Sequence, residues 1–166
     1  MSQFGIGTHY WIEQDLIDHA QMAAGKYYLV FYDGDVALTC GSSSHPPGIG
    51  GKVAAVYLRG PNCLGLATSS SAPGYLEFVA LHEVLHMIGL VPGCAPNQIS
   101  EGHVQENNDL MYIGGGTWTH TQVDVNHDDY WGHGRNNCAD GARSALFTPP
   151  GPDLPPDGPR INEGTE

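Results

Sequence analysis

Leu81-His82-Glu83-Val84-Leu85-His86-Met87-Ile88-Gly89 places two imidazoles, a carboxylate and an apolar stripe in one short stretch. Leu81, Val84, Leu85 and Ile88 follow the i, i+3, i+4, i+7 rule, which predicts a helix docking that side on a core. His82 and His86 lie one turn apart on a face well round from the stripe. Neutral imidazoles from adjacent turns suit Zn²⁺, and Glu83 beside the first is placed to act as a general base toward a water on the metal. An amphipathic helix carrying these three polar residues on a solvated face would need no ion. That arrangement arises by chance in roughly one chain of this length in a hundred. Gly89 turns the chain sharply just past the second histidine.

Upstream, Leu16, Ile17, Ala20, Ala23 and Ala24 form an apolar face that predicts a helix from Glu13 to Ala24, with Gly25 as its stop. The aromatic and β-branched run Tyr27 to Tyr32 reads as a strand breaking at Asp33-Gly34-Asp35. Gly41 to Gly51 reads as a glycine- and serine-rich loop, with His45 before Pro46-Pro47 as a solvated loop residue. Val53 to Leu58 is a second strand, ended by Gly60-Pro61. Thr68 to Ser71 offer N-caps and Pro73 a first turn for a helix running from Tyr75 to about Ile88. The predicted class is α+β, a short sheet with an N-terminal helix and a central helix. Past Phe147 the composition turns to proline and glycine, so residues 5–148 form one domain and 149–166 a disordered tail or linker. No internal repeat is present.

The chain has 166 residues, about one domain's length, and 18 acidic against 6 basic residues give a net charge of −12. Nucleic acid and anionic membranes are poor partners for such a surface. No apolar run reaches membrane-spanning length, and Met1 opens no signal-like segment; an export signal or pro-segment was removed or never there. Cys40, Cys63, Cys94 and Cys138 contain no C-x-x-C pair, so an even count at wide spacing points to disulfides rather than a zinc ribbon. Three pairings are possible. Cys40 and Cys63 each follow a predicted strand, which favours Cys40–Cys63 and leaves Cys94 to pair with Cys138. Disulfides, few basic residues and a hydrolytic centre imply a secreted protein, expected to be a monomer.

The His82, Glu83, His86, Gly89 and Met111 set resembles the zincin metallopeptidases, and more closely the metzincin branch, with its H-E-x-x-H-x-x-G helix and methionine turn. Asp109-Leu110-Met111-Tyr112, followed by three glycines, resembles that turn. The resemblance covers the stretch from the helix to Tyr112 and implies a zincin-like catalytic domain with one catalytic zinc acting on a peptide or protein substrate. The chain departs from the branch where the third ligand would stand, six residues after His86, because that residue is Pro92. A catalytic zinc needs three protein ligands and an open position. His103 fits best, after a loop able to return to the helix. Asp109, His127 and His133 compete, with Asp128 or Asp129 behind them, whereas Glu101 and Glu106 lack a ligand-bearing helix of their own.

Glu83 would then take the proton from water and pass it to the leaving amine. Tyr112 or Tyr130 would donate to the developing oxyanion, or pack in the core. Asp124, Asp128 and Asp129 could alternatively build a calcium site, although no EF-hand spacing is present. The competing functional readings are a zinc-stabilised binding module without turnover and a zinc hydrolase of non-peptide amides or esters.

Overall fold

Five residues rich in aromatic and β-branched side chains form strand β1, Tyr28–Tyr32, and the apolar run downstream forms the long strand β3, Ile49–Tyr57. The computed structural model describes residues 7–34, 36–46, 48–60, 63, 74–100, 102–113 and 123–147. The N-caps expected at Thr68 to Ser71, Pro73, Glu101 and the stretch 149–166 lie outside them. β1 and β3 run parallel, and Gly41–His45 forms strand β2, antiparallel to β3, giving the order β1-β3-β2. The expected loop at Gly41 to Gly51 is therefore mostly strand, Gly41–His45 and the first three residues of β3. Small serines lie flat there between two helices and find hydrogen-bond partners in them, a tertiary gain that strand propensity does not register.

Paired residues in neighbouring strands share a face, so Ala55, Tyr57 and Ser42 point one way while Ala54, Val56 and Ser43 point the other. Helix α1, Thr8–Asp18, covers the first face. His9 Nδ1 bonds Ser42 Oγ at 3.0 Å, Ser42 Oγ bonds the Tyr57 hydroxyl, and Ile12 packs on Val36, Ala55 and Tyr57. The helix thus lies earlier than the Glu13 to Ala24 span expected from its apolar residues. His19 Nδ1 donates to the Asp15 carbonyl at 2.8 Å and Ala20 has φ 54°, which ends the helix. The face that docks is Thr8, His9 and Ile12, whereas Ile17 is half exposed.

Helix α2, Tyr75–Met87, covers the opposite face of the sheet. Gly74 caps it, its N–H donating to the Glu77 carboxylate at 2.8 Å. At the other end Gly89 N–H reaches the His86 carbonyl at 2.8 Å and Leu90 N–H the Leu85 carbonyl at 3.1 Å, the paired bonds of a Schellman stop. Gly89 has φ +70° and would bring a Cβ to 3.0 Å from the Pro46 carbonyl, so two independent constraints select glycine. The apolar side of α2 divides. Val79 and Glu83 face the sheet, while Leu85 joins Leu90, Val91, Ala95, Val104, Leu110, Met111 and Tyr130 in a second core. Leu81, expected in the buried stripe, is 36% exposed. A helix packed on two flanks has no single apolar stripe.

After α2 the chain forms a two-stranded ribbon, β4 (Gln98–Ser100) and β5 (His103–Val104), then a 3-10 turn at Val125–His127. Disulfides join Cys40 to Cys63 and Cys94 to Cys138, the pairing expected from the sequence. The second spans 44 residues, for which chain entropy gives about 3 to 4 kcal/mol. Among the described residues no helix is long and apolar enough to cross a membrane.

Candidate metal centre

His82 and His86 project from adjacent turns of α2, and β5 carries His103 to the same point. His86 Nε2 lies 3.0 Å from His82 Nε2 and 3.1 Å from His103 Nε2. The outward nitrogens explain why the inner ones face each other as acceptors. A carbonyl can only accept, so His82 Nδ1 donates to the Leu110 carbonyl at 2.7 Å and His103 Nδ1 to the Ser100 carbonyl at 3.2 Å. Both rings thereby present an Nε2 lone pair inward, the orientation that outer hydrogen bonds impose on metal-ligating histidines. Gly102, at φ +77°, lets the ribbon approach until a Cβ there would stand 2.9 Å from His86 Nδ1. Nitrogens bound tetrahedrally at about 2.0–2.1 Å from zinc stand about 3.3 Å apart, close to the separations seen.

All three rings belong to one set whose ligand atoms lie within 4.8 Å of one another. Burial holds the His82 imidazolium pKa down to about 4, and burial with the neighbouring His82, His103 and His45 rings holds His86 well below its usual range. The His82 and His86 imidazoles are thus neutral near pH 7, as ligation requires. The donor set and its hydrogen bonds fit a zinc ion.

Glu83 is buried between α2 and β2, and Ser43 Oγ donates to its Oε2 at 2.9 Å. Burial pushes its carboxyl up to about 8, with the Ser43 hydroxyl opposing that shift. His45 lies two residues further along β2, its ring centroid 6.0 Å from that of His86. It is part of the site's surroundings rather than the solvated loop residue expected. Neither Ser43 nor His45 carries a sequence signal, because their relevance depends on a strand that the glycines and serines disguise.

None of the other residues singled out by the sequence joins the histidine set. Asp109 is 1% exposed and accepts from Met111 N–H at 2.7 Å, Val125 N–H at 3.0 Å and the Tyr130 hydroxyl at 2.9 Å. Tyr130 is fully buried, and its one hydroxyl proton is shared between the Asp109 carboxylate and the Val123 carbonyl, so it is used inside the core. His133 Nε2 donates to the Ala139 carbonyl at 3.0 Å, and His127 is exposed. Met111 is buried in the second core beside Leu110, whose carbonyl holds His82. Tyr112 bridges to Val104 through its backbone and is half-buried.

Asp109 therefore organises the segment behind His82 instead of ligating. Asp109→Ala should leave two buried N–H groups without an acceptor and cost about 3 kcal/mol or more in chemical denaturation. Zinc stoichiometry of the folded fraction should stay unchanged; loss of zinc without loss of stability would return Asp109 to the ligand set.

Compared with protein-family models, curated proteins and solved structures, the chain matches none.

Proposed function

We propose that this protein is a secreted zinc-dependent endopeptidase in which Glu83 is the general base. The convergence of the three Nε2 atoms beside a buried carboxylate carries the reading. Among the described residues no fourth histidine, cysteine or acidic side chain joins the set, which leaves a tetrahedral ion one open position. A purely structural zinc would close that position and would not need Glu83. Bound zinc supplies a Lewis acid and lowers the pKa of water.

Glu83 takes the proton of the attacking water and hands it to the leaving amine, while Ser43 holds the carboxylate against the helix. Tyr112, following Leu110 and Met111, is the remaining donor for the developing oxyanion once Tyr130 is committed to Asp109. β2 is one of the two outer strands of the described sheet and carries both Ser43 and His45. A substrate extended along it would pass the triad, which favours a peptide over a small amide or ester. The two disulfides and the absence of a membrane-spanning helix among the described residues support an extracellular setting.

The test is metal removal and return. Dialysis against 1,10-phenanthroline should abolish cleavage of a peptide library, and one equivalent of zinc per chain should restore it. Full cleavage by the metal-free chain would defeat the proposal, and so would stoichiometric zinc without any cleavage.

A further inference from the structure

Asp129 is fully buried, and neither of its carboxylate oxygens has a hydrogen-bond partner in good geometry, the Asn97 side chain being its one nearby donor among the described residues. Asp128 Oδ1 and Glu106 Oε2 are also buried without a hydrogen-bond partner. Each of the three residues offers an oxygen, and these oxygens lie within 4.8 Å of one another. Carboxylates so placed repel, and although Glu106 and Asp128 are partly exposed, the buried Asp129 has no water to screen it. Their neighbours do not compensate. Burial first, then Asp124, Asp109 and Asp128, push the Asp129 carboxyl up to about 7, against the Asn97 side chain alone. Glu106 is raised by burial, Asp128 and Asp124 and opposed by the Asn126 side chain.

Asp109 and Asp124 differ in kind, although they approach Asp129 as closely. Asp124 accepts from Asp129 N–H at 3.4 Å, from Tyr130 N–H at 2.8 Å and from Trp131 N–H, and Asp109 is likewise engaged by core donors. Those two are built into the backbone. Glu106, Asp128 and Asp129 are left facing one another with lone pairs unused.

We propose that Glu106, Asp128 and Asp129 bind one calcium ion, separate from the histidine centre. The ligands are all hard oxygens, which excludes a preference for zinc. Calcium accepts irregular sets of carboxylate oxygens whereas magnesium demands a near-ideal octahedron and sheds water reluctantly, so three carboxylates from two separate segments suit the larger ion. Asp124, named with Asp128 and Asp129 from sequence alone, gives way to Glu106. The ion joins the segment after β5, which carries His103, to the residues following the 3-10 turn at Val125–His127.

Calcium titration of the full chain as purified, in calcium-depleted buffer, tests this by calorimetry and thermal melting. One calcium per chain should bind, with a dissociation constant in the range of about 10⁻⁴ to 10⁻³ M typical of extracellular modules. At a hundredfold excess over that constant the melting temperature should rise by about 5 to 10 °C. Asp129→Asn and Glu106→Gln should each remove the response. Without calcium, Asp129→Asn should melt no lower than the parent, because it removes a buried repulsion; a merely structural carboxylate would give the opposite sign. No binding at 10-fold above the weak end of that range, binding undiminished in Asp129→Asn, or an equal response to magnesium would each overturn the assignment.

Discussion

Glu83→Gln is expected to keep its zinc and its fold and to lose peptide hydrolysis by at least the 10²- to 10⁴-fold that a general base contributes. The amide has the shape of the carboxylate, and the Ser43 hydroxyl at 2.9 Å can bond either group. What disappears is the site for the proton. The pH dependence of metal-free protein supplies an independent check. Burial raises the Glu83 pKa to about 8 in the folded chain, against about 4.3 when unfolded. A raised carboxyl pKa contributes stability fully present below the unfolded value and lost as pH rises through the folded one. Denaturation of the stripped parent should therefore show this loss between about pH 4 and 8, and stripped Glu83→Gln should lack it. Peptide cleavage by the variant at the parent's rate would remove Glu83 from the mechanism.

His103→Ala is expected to have the next largest effect. Loss of an outer hydrogen-bond partner typically costs metal sites 10- to 100-fold in affinity or activity, and loss of a ligand nitrogen should exceed that. Its Nε2 is 3.1 Å from that of His86, and no other described side chain is in the set to replace it. Zinc titration with a competing chelator should show affinity reduced by more than about 100-fold and hydrolysis reduced in step. Retained occupancy and full activity would mean that the third ligand stands elsewhere.

The legible parts of the chain were those with a local cause. α2 could be read because its histidine spacing, its length and the Gly89 stop are all encoded within one stretch, and β1 and β3 because their apolar runs fit strands. Once Pro92 excluded itself, His103 was one of several downstream candidates, preferred because the loop before it can return to the helix. The misplaced α1 and the missed β2 share a different cause: their docking surfaces are polar. His9, Ser42 and Ser43 are buried through hydrogen bonds to partners 33, 15 and 40 residues away, Ser42, Tyr57 and Glu83 respectively. Periodicity of apolar residues cannot register such contacts. The carboxylate cluster was visible as composition, but which acids turn toward backbone N–H groups and which toward each other is a property of the fold.

The Cys94–Cys138 bond encloses His103, Met111, Asp109 and all three carboxylates proposed for calcium, while His82 and His86 stand outside on α2. The histidine centre is thus shared between a rigid helix and a covalently closed ring of chain. During biosynthesis, two nitrogens are placed by a local helix and the third arrives only when that ring settles on it. Bond closure shrinks the space the ring can explore before any ion is present. On the proposed zinc reading, the reduced chain is therefore expected to bind the ion more weakly than the oxidised one, because its third nitrogen is free to wander further.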